Sequence, residues 1–510
     1  MELSTSLRYS ALLSLVCLLV LSCQPSPRLP QQAVSVSEKP QIYPDYHDSL
    51  LLPCNIAPLN FMSTDEKVTA CVARLTSGTK SFVYGGTRKI CIDLQEWQIL
   101  LAEQGDIQVE YYEERPEGWI AYPSWHWTVS ADSIDRYVSY RLIPPSYVMY
   151  EKLSIRQRDL STFDERILYR NDLLDEGRAT HCINCHAFQN HRTQRWQMHV
   201  REAHGGTVIA DGGTLVKRSL KRASTLGEGA YPAWHPQRNL LAYSTNRTMQ
   251  HFHSADTRKV EVQDSRSDLI LYDVARDSVV ALPQTPLQLE VFPTWSPDGQ
   301  WLYYGMARVP FDDHLDAGTQ KELMSRFIES DEFAQSYIIS QYDRIFYDIY
   351  RRPFDAATCS LGEPECVVEA SRDSLSLTVP RISPDGRWLL TTVGPYGCFH
   401  IWHPEADLML TDLTTGESHR LERANSDRAE SFHNWSDNGR WIVFTSRRDD
   451  GNFTRLYLAH IDQEGNASQA FMMPQADPAH ELYSTLSYNV PELTLEAVSL
   501  SPDEVSEALR

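Results

Sequence analysis

The sequence predicts a mainly β protein with an N-terminal β-sandwich-like domain, a short helical segment and a C-terminal β-propeller. Residues 46–146 contain short runs of alternating apolar and polar residues between Gly and Pro turns, a pattern typical of half-buried strands. Beyond residue 206 a strand–turn–strand unit recurs, with Pro-Asp-Gly or Asp-Asn-Gly at its turn. Such a recurring unit indicates propeller blades.

The composition is that of a folded, acidic protein. Of the 510 residues, 42% are hydrophobic, and the formal net charge is -21. This chain is long and apolar enough to bury large cores. Its negative charge would repel nucleic acid, so we expect no nucleic-acid partner.

The first 22 residues resemble a bacterial lipoprotein signal peptide. An apolar run over residues 11–21, short for a membrane span, precedes Ser22 and Cys23. We expect cleavage before Cys23, lipidation of its thiol, and a location in the bacterial cell envelope, at the outer membrane facing the periplasm. An uncleaved anchor and an ordinary secretory signal are the alternatives, and both also export the chain. Residues 23–45 are rich in Pro and are interpreted as a linker.

Within residues 46–146 the pattern predicts one helix, over residues 95–103, with Asp93 as its N-terminal cap. The Trp-rich stretch over residues 119–127 has two interpretations. Its aromatic side chains belong to a buried β core, which is the commoner case, or form a carbohydrate platform.

Residues 147–205 show apolar spacings of three and four, which predict short helices. This segment contains Cys182, Cys185 and His186 in the pattern C-x-x-C-H. The pattern is the attachment signature of c-type haem, with two thiols bonded covalently to the porphyrin and the histidine as proximal iron ligand. A thioredoxin-like redox pair, a disulfide and half of a zinc site are the alternatives. We therefore expect one covalent haem c, with His199 as candidate distal ligand and Met198 as the alternative.

The propeller is expected over residues 206–492, with a tail over 493–510. Four turn units are separated by more residues than a usual blade contains, so insertions are required, and the largest (residues 309–341) has helix-like sequence. Four visible units predict five to seven blades, with residues 206–216 as a candidate degenerate first blade.

Three further groups are candidate sites. His403, Glu405 and His433 are candidates for a site at the propeller mouth, and Cys398 with His400 and His403 has spacing suited to a transition metal. His251 and His253 form a second, shorter histidine pair. Structural hydrogen bonding at blade edges is the competing interpretation. The sequence contains no nucleophile elbow, Walker loop or H-E-x-x-H motif.

In an oxidising compartment some of the remaining cysteines are expected to pair. Cys359 and Cys366 flank a short loop and are the easiest pair to propose.

From about Cys54 to Pro491 the chain resembles a family of bacterial exported lipoproteins that join a c-type haem motif to a TolB-like propeller of WD40-like repeats. The segments that carry this resemblance are residues 135–141, 182–187, 199–201, 205–207, 401–408, 431–451 and 489–492. The resemblance implies haem attachment at Cys182 and Cys185 and iron ligation by His186. It implies no established substrate.

The leading functional hypothesis is a lipid-anchored c-type cytochrome used for electron transfer or redox sensing. Its propeller would dock a redox or envelope protein partner. The alternative is a protein whose propeller binds a glycan, a peptide or an envelope partner while the haem is structural. An electron carrier or binding protein is favoured over a hydrolase. A haem oxidoreductase is a third hypothesis.

Overall fold

The computed structural model describes residues 27–47, 49–145, 152–174, 181–282 and 285–510. The predicted signal peptide and Cys23 lie outside these residues, so export and lipidation stay predictions. Within the described residues, no helix is long and apolar enough to cross a membrane.

The prediction of a mainly β protein is confirmed. The N-terminal part of the chain is described first. Its elements are β1 (Val34–Ser35), β2 (Ile42–Tyr43), β3 (Leu50–Leu52), β4 (Phe61–Ser63), β5 (Ala70–Ser77), β6 (Lys80–Gly86), β7 (Lys89–Ile90), α1 (Leu94–Ala102), β8 (Asp106–Arg115), β9 (Gly118–Ala121) and β10 (Trp125–Val129). Strands β2, β4 and β7 form a three-stranded sheet, and the other seven form a second sheet. The predicted helix is confirmed as α1, capped by the Asp93 carboxylate, which accepts from the backbone N–H groups of Gln95 and Glu96.

The Trp-rich stretch belongs to the β core. Trp127 is fully buried and Trp125 is nearly so. The Trp127 indole donates to the Tyr46 carbonyl oxygen at 2.6 Å. The carbohydrate-platform interpretation is therefore wrong for these two side chains, because their ring faces are covered by protein.

Six groups of antiparallel strands follow and are called sheets 1 to 6 in chain order. Sheets 3 and 4 are joined into one larger sheet by a single parallel pairing, of Ser267 with Leu289. Sheet 1 contains β11 (Tyr137–Ile143), β12 (Ser154–Asp159) and β13 (Glu165–Arg170). Sheet 2 contains β14 (His181–Gln189), β15 (Arg192–Glu202), β16 (Gly206–Asp211) and β17 (Thr214–Arg218). Sheet 3 contains β18 (Gly229–Trp234), β19 (Leu240–Phe252), β20 (Val260–Asp273) and β21 (Ser278–Ala281).

The remaining three sheets have the same strand order. Sheet 4 contains β22 (Gln288–Trp295), β23 (Trp301–Arg308), β24 (Tyr347–Asp355), β25 (Ser360–Leu361) and β26 (Glu365–Val368). Sheet 5 contains β27 (Ser376–Ile382), β28 (Trp388–Gly394), β29 (Asp407–Asp412) and β30 (Ser418–Arg420). Sheet 6 contains β31 (Glu430–Trp435), β32 (Trp441–Ser446), β33 (Arg455–His460) and β34 (Phe471–Met472).

The last strand of the chain returns to sheet 1. Strand β35 (Ser487–Thr494) pairs with β11 and gives sheet 1 the order β13-β12-β11-β35. We call β35, β14, β18, β22, β27 and β31 the inner strands. Each inner strand contacts the next one in this order, and β31 contacts β35 again, so the six inner strands form a closed ring.

Helices occur outside the sheets. The insertion predicted to be helical contains α2 (Ala317–Glu329) and α3 (Asp331–Ser340), which confirms that prediction. Two helices flank β35, namely α4 (His480–Tyr483) and α5 (Pro502–Leu509). Single 3-10 turns occur at Asn171–Leu173, Tyr342–Arg344, Ala370–Asp373 and His400–Trp402.

The predicted helical haem segment is wrong, because the described part of residues 147–205 forms β12 to β15 and one 3-10 turn. The apolar spacing of three and four was misleading, since short strands separated by turns can produce it without helical geometry. Residues 206–216 are not a separate blade either. They form β16 and most of β17, the outer half of the sheet that contains C-x-x-C-H.

The Pro-Asp-Gly turns behave as predicted and link the inner strand of a sheet to its second strand. In sheet 4, the Ser296 backbone N–H donates to the Trp301 carbonyl oxygen at 2.8 Å, and the Trp301 N–H donates to Ser296 Oγ at 3.0 Å. Gly299 adopts a φ of 71° at the turn. The same bonds recur in sheets 5 and 6.

No disulfide is formed among the described cysteines. Cys359 and Cys366 are both free, so the proposed pair is wrong for this structure. Cys366 lies in β26 opposite Tyr350 of β24, whereas Cys359 lies at a left-handed turn beyond the end of β24.

Candidate functional site

Each inner strand contains one left-handed residue at the same level of the ring. These residues have φ between 30° and 53° and are Cys185, Tyr231, Phe292, Val379, Phe432 and Val490. Each interrupts the pairing of its inner strand with the second strand of the sheet. The feature is a β-bulge repeated six times.

The residue after each bulge is proline in four strands and histidine in two. The six residues are His186, Pro232, Pro293, Pro380, His433 and Pro491. Proline is tolerated inside these strands because the ladder is interrupted at the bulge, so no N–H donor is required there. The histidine of C-x-x-C-H therefore occupies a position that is proline in most of the ring.

The bulge side chains form an apolar plug on the ring axis. Phe292, Val379 and Phe432 are buried in one cluster, with Tyr231 and Val490 packed against it. The Tyr231 and Phe292 rings lie 4.2 Å apart. This plug closes the centre of the ring, and the side chain of Cys185 approaches the same axis near Tyr231.

The C-x-x-C-H residues lie on strand β14, with the bulge at Cys185, and not in the expected helical segment. Cys182 packs at the edge of the cluster between sheets 1 and 2, whereas Cys185 lies near Tyr231 and Tyr243 of sheet 3. In a strand, two residues three apart lie about 10 Å apart along the chain. A helical turn would bring them closer. Covalent haem attachment thus stays a prediction without support from the strand geometry.

His186 is buried against sheet 1. Its side chain is 3% exposed, and burial lowers its pKa to about 4, which the backbone of Ser139 partly opposes. His433 is placed equivalently, with Nε2 3.0 Å from the Leu390 carbonyl oxygen of sheet 5 and a pKa lowered by burial to about 3. Each histidine thus reaches the second strand of the preceding sheet. Both imidazoles are therefore uncharged at pH 7, and each packs between two sheets.

The candidate distal ligands are also packed inside the fold. Met198 is fully buried in the cluster between sheets 1 and 2 and lies opposite His186 in the ladder. His199 lies opposite Asn184, so its side chain is on the other face of sheet 2 from that of Met198. Its Nδ1 is 3.2 Å from Thr207 Oγ1. His199 and Met198 thus lie on opposite faces of sheet 2.

A cavity of about 440 Å³ lies at the centre of the ring, on the side where the Pro-Asp-Gly turns emerge. Its floor includes Val379, Phe432 and Val490 of the plug. Its wall includes the second residue after each bulge, namely Ala187, Ala233, Thr294, Arg381, Asn434 and Glu492. Three adjacent sheets contribute small side chains there, and the other three contribute Arg381, Asn434 and Glu492.

Hydrogen bonds from tryptophan side chains join neighbouring inner strands at the cavity wall. The indole N–H of Trp435 donates to the Arg381 carbonyl oxygen at 3.2 Å. Trp234 and Trp295 make the equivalent bonds to the carbonyl oxygens of Ala187 and Ala233, both at 3.2 Å. These bonds hold the backbone beneath the cavity side chains in place.

Arg381 and Glu492 are the charged groups of this wall. Among the described residues, Arg381 makes one hydrogen bond, from Nη1 to the adjacent Pro380 carbonyl oxygen at 3.0 Å. Burial lowers its pKa, and the carboxylate of Glu492 opposes this shift. Glu492 Oε1 accepts from the Phe188 backbone N–H at 2.8 Å, and burial raises the pKa of Glu492 to about 7. Both side chains remain partly accessible from the cavity.

The cavity rim is held by an aspartate from the N-terminal part. Asp135 Oδ2 lies 3.1 Å from His191 Nδ1, and its carboxylate accepts from the Asp437 backbone N–H. His191 and Asp437 both line the cavity. The Asp135 carboxylate thus links a turn of sheet 2 to a turn of sheet 6.

The opposite face of the ring is crossed by the long β19–β20 hairpin of sheet 3. Arg258 at its tip pairs with Glu405 of sheet 5 at 2.6 Å, and Lys259 bonds Asn452 of sheet 6. The buried Glu261 accepts from Tyr396 at 2.8 Å and lies 3.1 Å from His403 Nε2. The hairpin therefore covers the face opposite the cavity.

The predicted mouth site is thus divided between two places. His433 lines the cavity, whereas His403 and Glu405 contact the hairpin on the opposite face. Grouping them was wrong because His403 and Glu405 lie in the loop between β28 and β29, on the far side of the plug.

The metal prediction for Cys398, His400 and His403 is also not supported. His400 uses both ring nitrogens, at 3.1 Å to Thr378 Oγ1 and 3.0 Å to the Tyr396 carbonyl oxygen. Burial raises the pKa of the Cys398 thiol. In the part of the chain that the structure describes, no group of three or more His, Cys, Asp or Glu residues could hold a metal ion.

Arg381, Asn434 and Glu492 were missed in the sequence. A usable signal existed, because Val-Pro-Arg, Phe-His-Asn and Val-Pro-Glu share the order of bulge residue, Pro or His, and wall residue. Aligning the repeats from this bulge, rather than from the turn, would have brought the three residues together.

No family model matches the chain, and no curated protein matches it. Among solved structures it is similar to the tricorn protease, with 11% identity and a TM-score of 0.34 over 72% of this chain and 34% of that chain. A puromycin-hydrolyzing peptidase from Mycobacterium tuberculosis has 11% identity and a TM-score of 0.33, over 84% and 57%. An oligogalacturonate lyase in complex with manganese has 11% identity and a TM-score of 0.28, over 81% and 95%. The chain spans about a third to just over half of the two peptidases.

These comparisons contradict the haem-lipoprotein family and the cytochrome function. No family model supports the assignment, and the C-x-x-C-H residues lie on a strand rather than in the helical segment that the assignment led us to expect. The electron-transfer hypothesis depended on C-x-x-C-H and on that family assignment, so it is wrong as well. At these TM-scores the likeness transfers no activity to this chain.

Proposed function

We propose that the six sheets are the blades of a six-bladed β-propeller whose central cavity binds a small ligand through a carboxylate. The closed ring of inner strands and the return of β35 to sheet 1 support the propeller. The observation that carries the binding function is Arg381, a residue of the cavity wall whose guanidinium makes a single hydrogen bond to the described residues.

An arginine in this setting favours a planar anion. Its guanidinium stays protonated and presents five N–H donors in a fixed fork. A carboxylate can take two of these donors at once, and the partial burial of Arg381 strengthens such a pair. The Asn434 amide on the neighbouring strand makes no side-chain hydrogen bond to the described residues, so it can donate to the same ligand.

The cavity has the shape of a binding site for a small molecule. Ala187, Ala233 and Thr294 on three adjacent inner strands leave space beside Arg381, and the indole-bearing side chains Trp234 and Trp295 line the wall. A volume of about 440 Å³ lies within the range usual for ligand pockets. The plug and the hairpin on the opposite face make it a blind pocket, which suits a small molecule or a chain end.

Binding can be measured by isothermal titration calorimetry with butyrate and with the dipeptide Ala-Ala as probes. We expect Arg381→Gln to weaken the binding of whichever probe binds by at least tenfold, because a charge-assisted pair is replaced by a neutral amide. Arg387→Gln is the matched control, since Arg387 lies on the outside of sheet 5 and pairs with Asp412.

Two results would overturn the proposal. One is that neither probe binds to the wild-type protein. The other is that Arg381→Gln and Arg387→Gln bind the probes equally well. Circular dichroism and the melting temperature of each variant establish that the fold is intact.

A further inference from the structure

Glu492 gives the cavity a second charged end. Its Oε1 is held by the Phe188 N–H, whereas Oε2 makes no hydrogen bond to the described residues. Glu492 and Arg381 are near enough to influence each other's pKa, but no direct ion pair joins them among the described side chains. Each therefore offers its free atoms to the cavity.

The two groups lie at the same level of the ring. Arg381 is on β27, Glu492 is on β35, and β31 with Asn434 lies between them. The hydrogen bond from Trp435 fixes β31 against the Arg381 backbone, and the Phe188 N–H fixes the Glu492 carboxyl. A ligand in the cavity therefore meets a cation, an amide and a carboxyl group in that order.

This order restricts the ligand's charge. Above pH 7 Glu492 is mainly ionised, and a simple anion bound to Arg381 would then share a partly buried cavity with its carboxylate, where like charges repel strongly. A dicarboxylate would increase that repulsion, and a simple amine would meet Arg381. A molecule with a carboxylate at one end and an ammonium at the other pairs with both groups.

Resting on the carboxylate-binding function proposed above, we infer that the ligand is zwitterionic, namely an amino acid or a short peptide. Its carboxylate binds Arg381 and its ammonium group binds Glu492. The blind end of the cavity limits the length of the bound portion, since the plug residues Val379 and Phe432 form the floor.

Three forms of one dipeptide test this inference by calorimetry at pH 7.5, where Glu492 is mainly ionised, namely Ala-Ala, N-acetyl-Ala-Ala and Ala-Ala amide. We expect acetylation to weaken binding to the wild-type protein at least tenfold, because the ammonium is lost. Amidation should weaken it similarly, because the carboxylate is lost. Glu492→Gln should bind Ala-Ala and N-acetyl-Ala-Ala with affinities within about threefold of each other, which corresponds to less than about 0.7 kcal/mol. Glu496→Gln, at an exposed position near the end of β35, is the matched control and should discriminate as the wild type does.

The outcomes separate this inference from the proposed function. If N-acetyl-Ala-Ala or butyrate binds as tightly as Ala-Ala and Arg381→Gln weakens it, the zwitterion is refuted and carboxylate binding stands. If Glu492→Gln still discriminates between Ala-Ala and its acetylated form, Glu492 is not the ammonium partner and the inference fails. If no probe binds the wild-type protein, both proposals fail.

Discussion

Glu492→Gln should make the stability of the protein less dependent on pH. Burial raises the Glu492 pKa from 4.5 to about 7. Between these pH values the folded protein keeps a proton that the unfolded chain has released. Stability therefore falls as pH rises through this window, and the full contribution of the protonated carboxyl is present only below about 4.5.

The magnitude follows from the size of this shift. Each pKa unit corresponds to about 1.4 kcal/mol, so the shift corresponds to roughly 3 kcal/mol without screening. Because the carboxyl is partly accessible from the cavity, screening reduces the expected effect to about 2 kcal/mol. Glutamine keeps the oxygen that accepts from Phe188 and carries no charge at any pH, so it imitates the protonated glutamate.

Differential scanning calorimetry at pH 5.0 and pH 8.5 measures the effect. With an unfolding entropy of about 2 cal/mol/K per residue, 2 kcal/mol corresponds to roughly 2 °C in a chain of this length. Glu492→Gln should melt at nearly the wild-type temperature at pH 5.0 and about 2 °C above it at pH 8.5. The exposed Glu496→Gln should follow the wild type at both. An equal difference between Glu492→Gln and the wild type at the two pH values would refute the reasoning.

Three further changes test the architecture by thermal or urea unfolding. His186→Pro should fold, with a loss below about 1.5 kcal/mol, because its position follows a bulge, whereas His199→Pro in the middle of β15 should lose about 3 kcal/mol or more; equal losses would contradict the bulge assignment. Trp435→Phe should cost about 1 to 2 kcal/mol, since it removes a buried hydrogen bond to the neighbouring inner strand and some packing, and an unchanged melting temperature would show that this bond does not fasten the ring. Glu481→Gln should cost about 3 kcal/mol because it leaves the guanidinium of Arg455 buried without its charged partner, 2.9 Å away, and a loss below about 1 kcal/mol would contradict that.

The turns could be predicted from sequence because their causes are local. A glycine at a positive φ and a serine that bonds the backbone five residues on are determined by adjacent residues. The helix capped by Asp93 was predictable for the same reason. The β content of residues 147–205 was not, because the spacing of their apolar residues matches a helix, while the pairing of consecutive strands decides the outcome.

The cavity residues could not be recognised one at a time. Arg381 and Glu492 are single polar residues in strands, and such residues are common at sheet edges. They face one cavity only because β35 completes sheet 1 and closes the ring of inner strands. They converge only in the closed ring, which cannot be inferred from the residues adjacent to each of them in the sequence.

The C-x-x-C-H motif misled for a related reason. The rarity of the motif suggests haem only if its three specified residues occur independently of one another, and in this chain they do not. The repeat places Pro or His after every bulge, as His433 shows in sheet 6 without any cysteine. The histidine of the motif thus has a structural cause, and only the two cysteines still need explanation. Features common to all six inner strands build the ring, whereas ligand recognition must depend on positions at which the strands differ. Among the wall residues, Arg381, Asn434 and Glu492 are those that differ most from the small side chains of the other three strands.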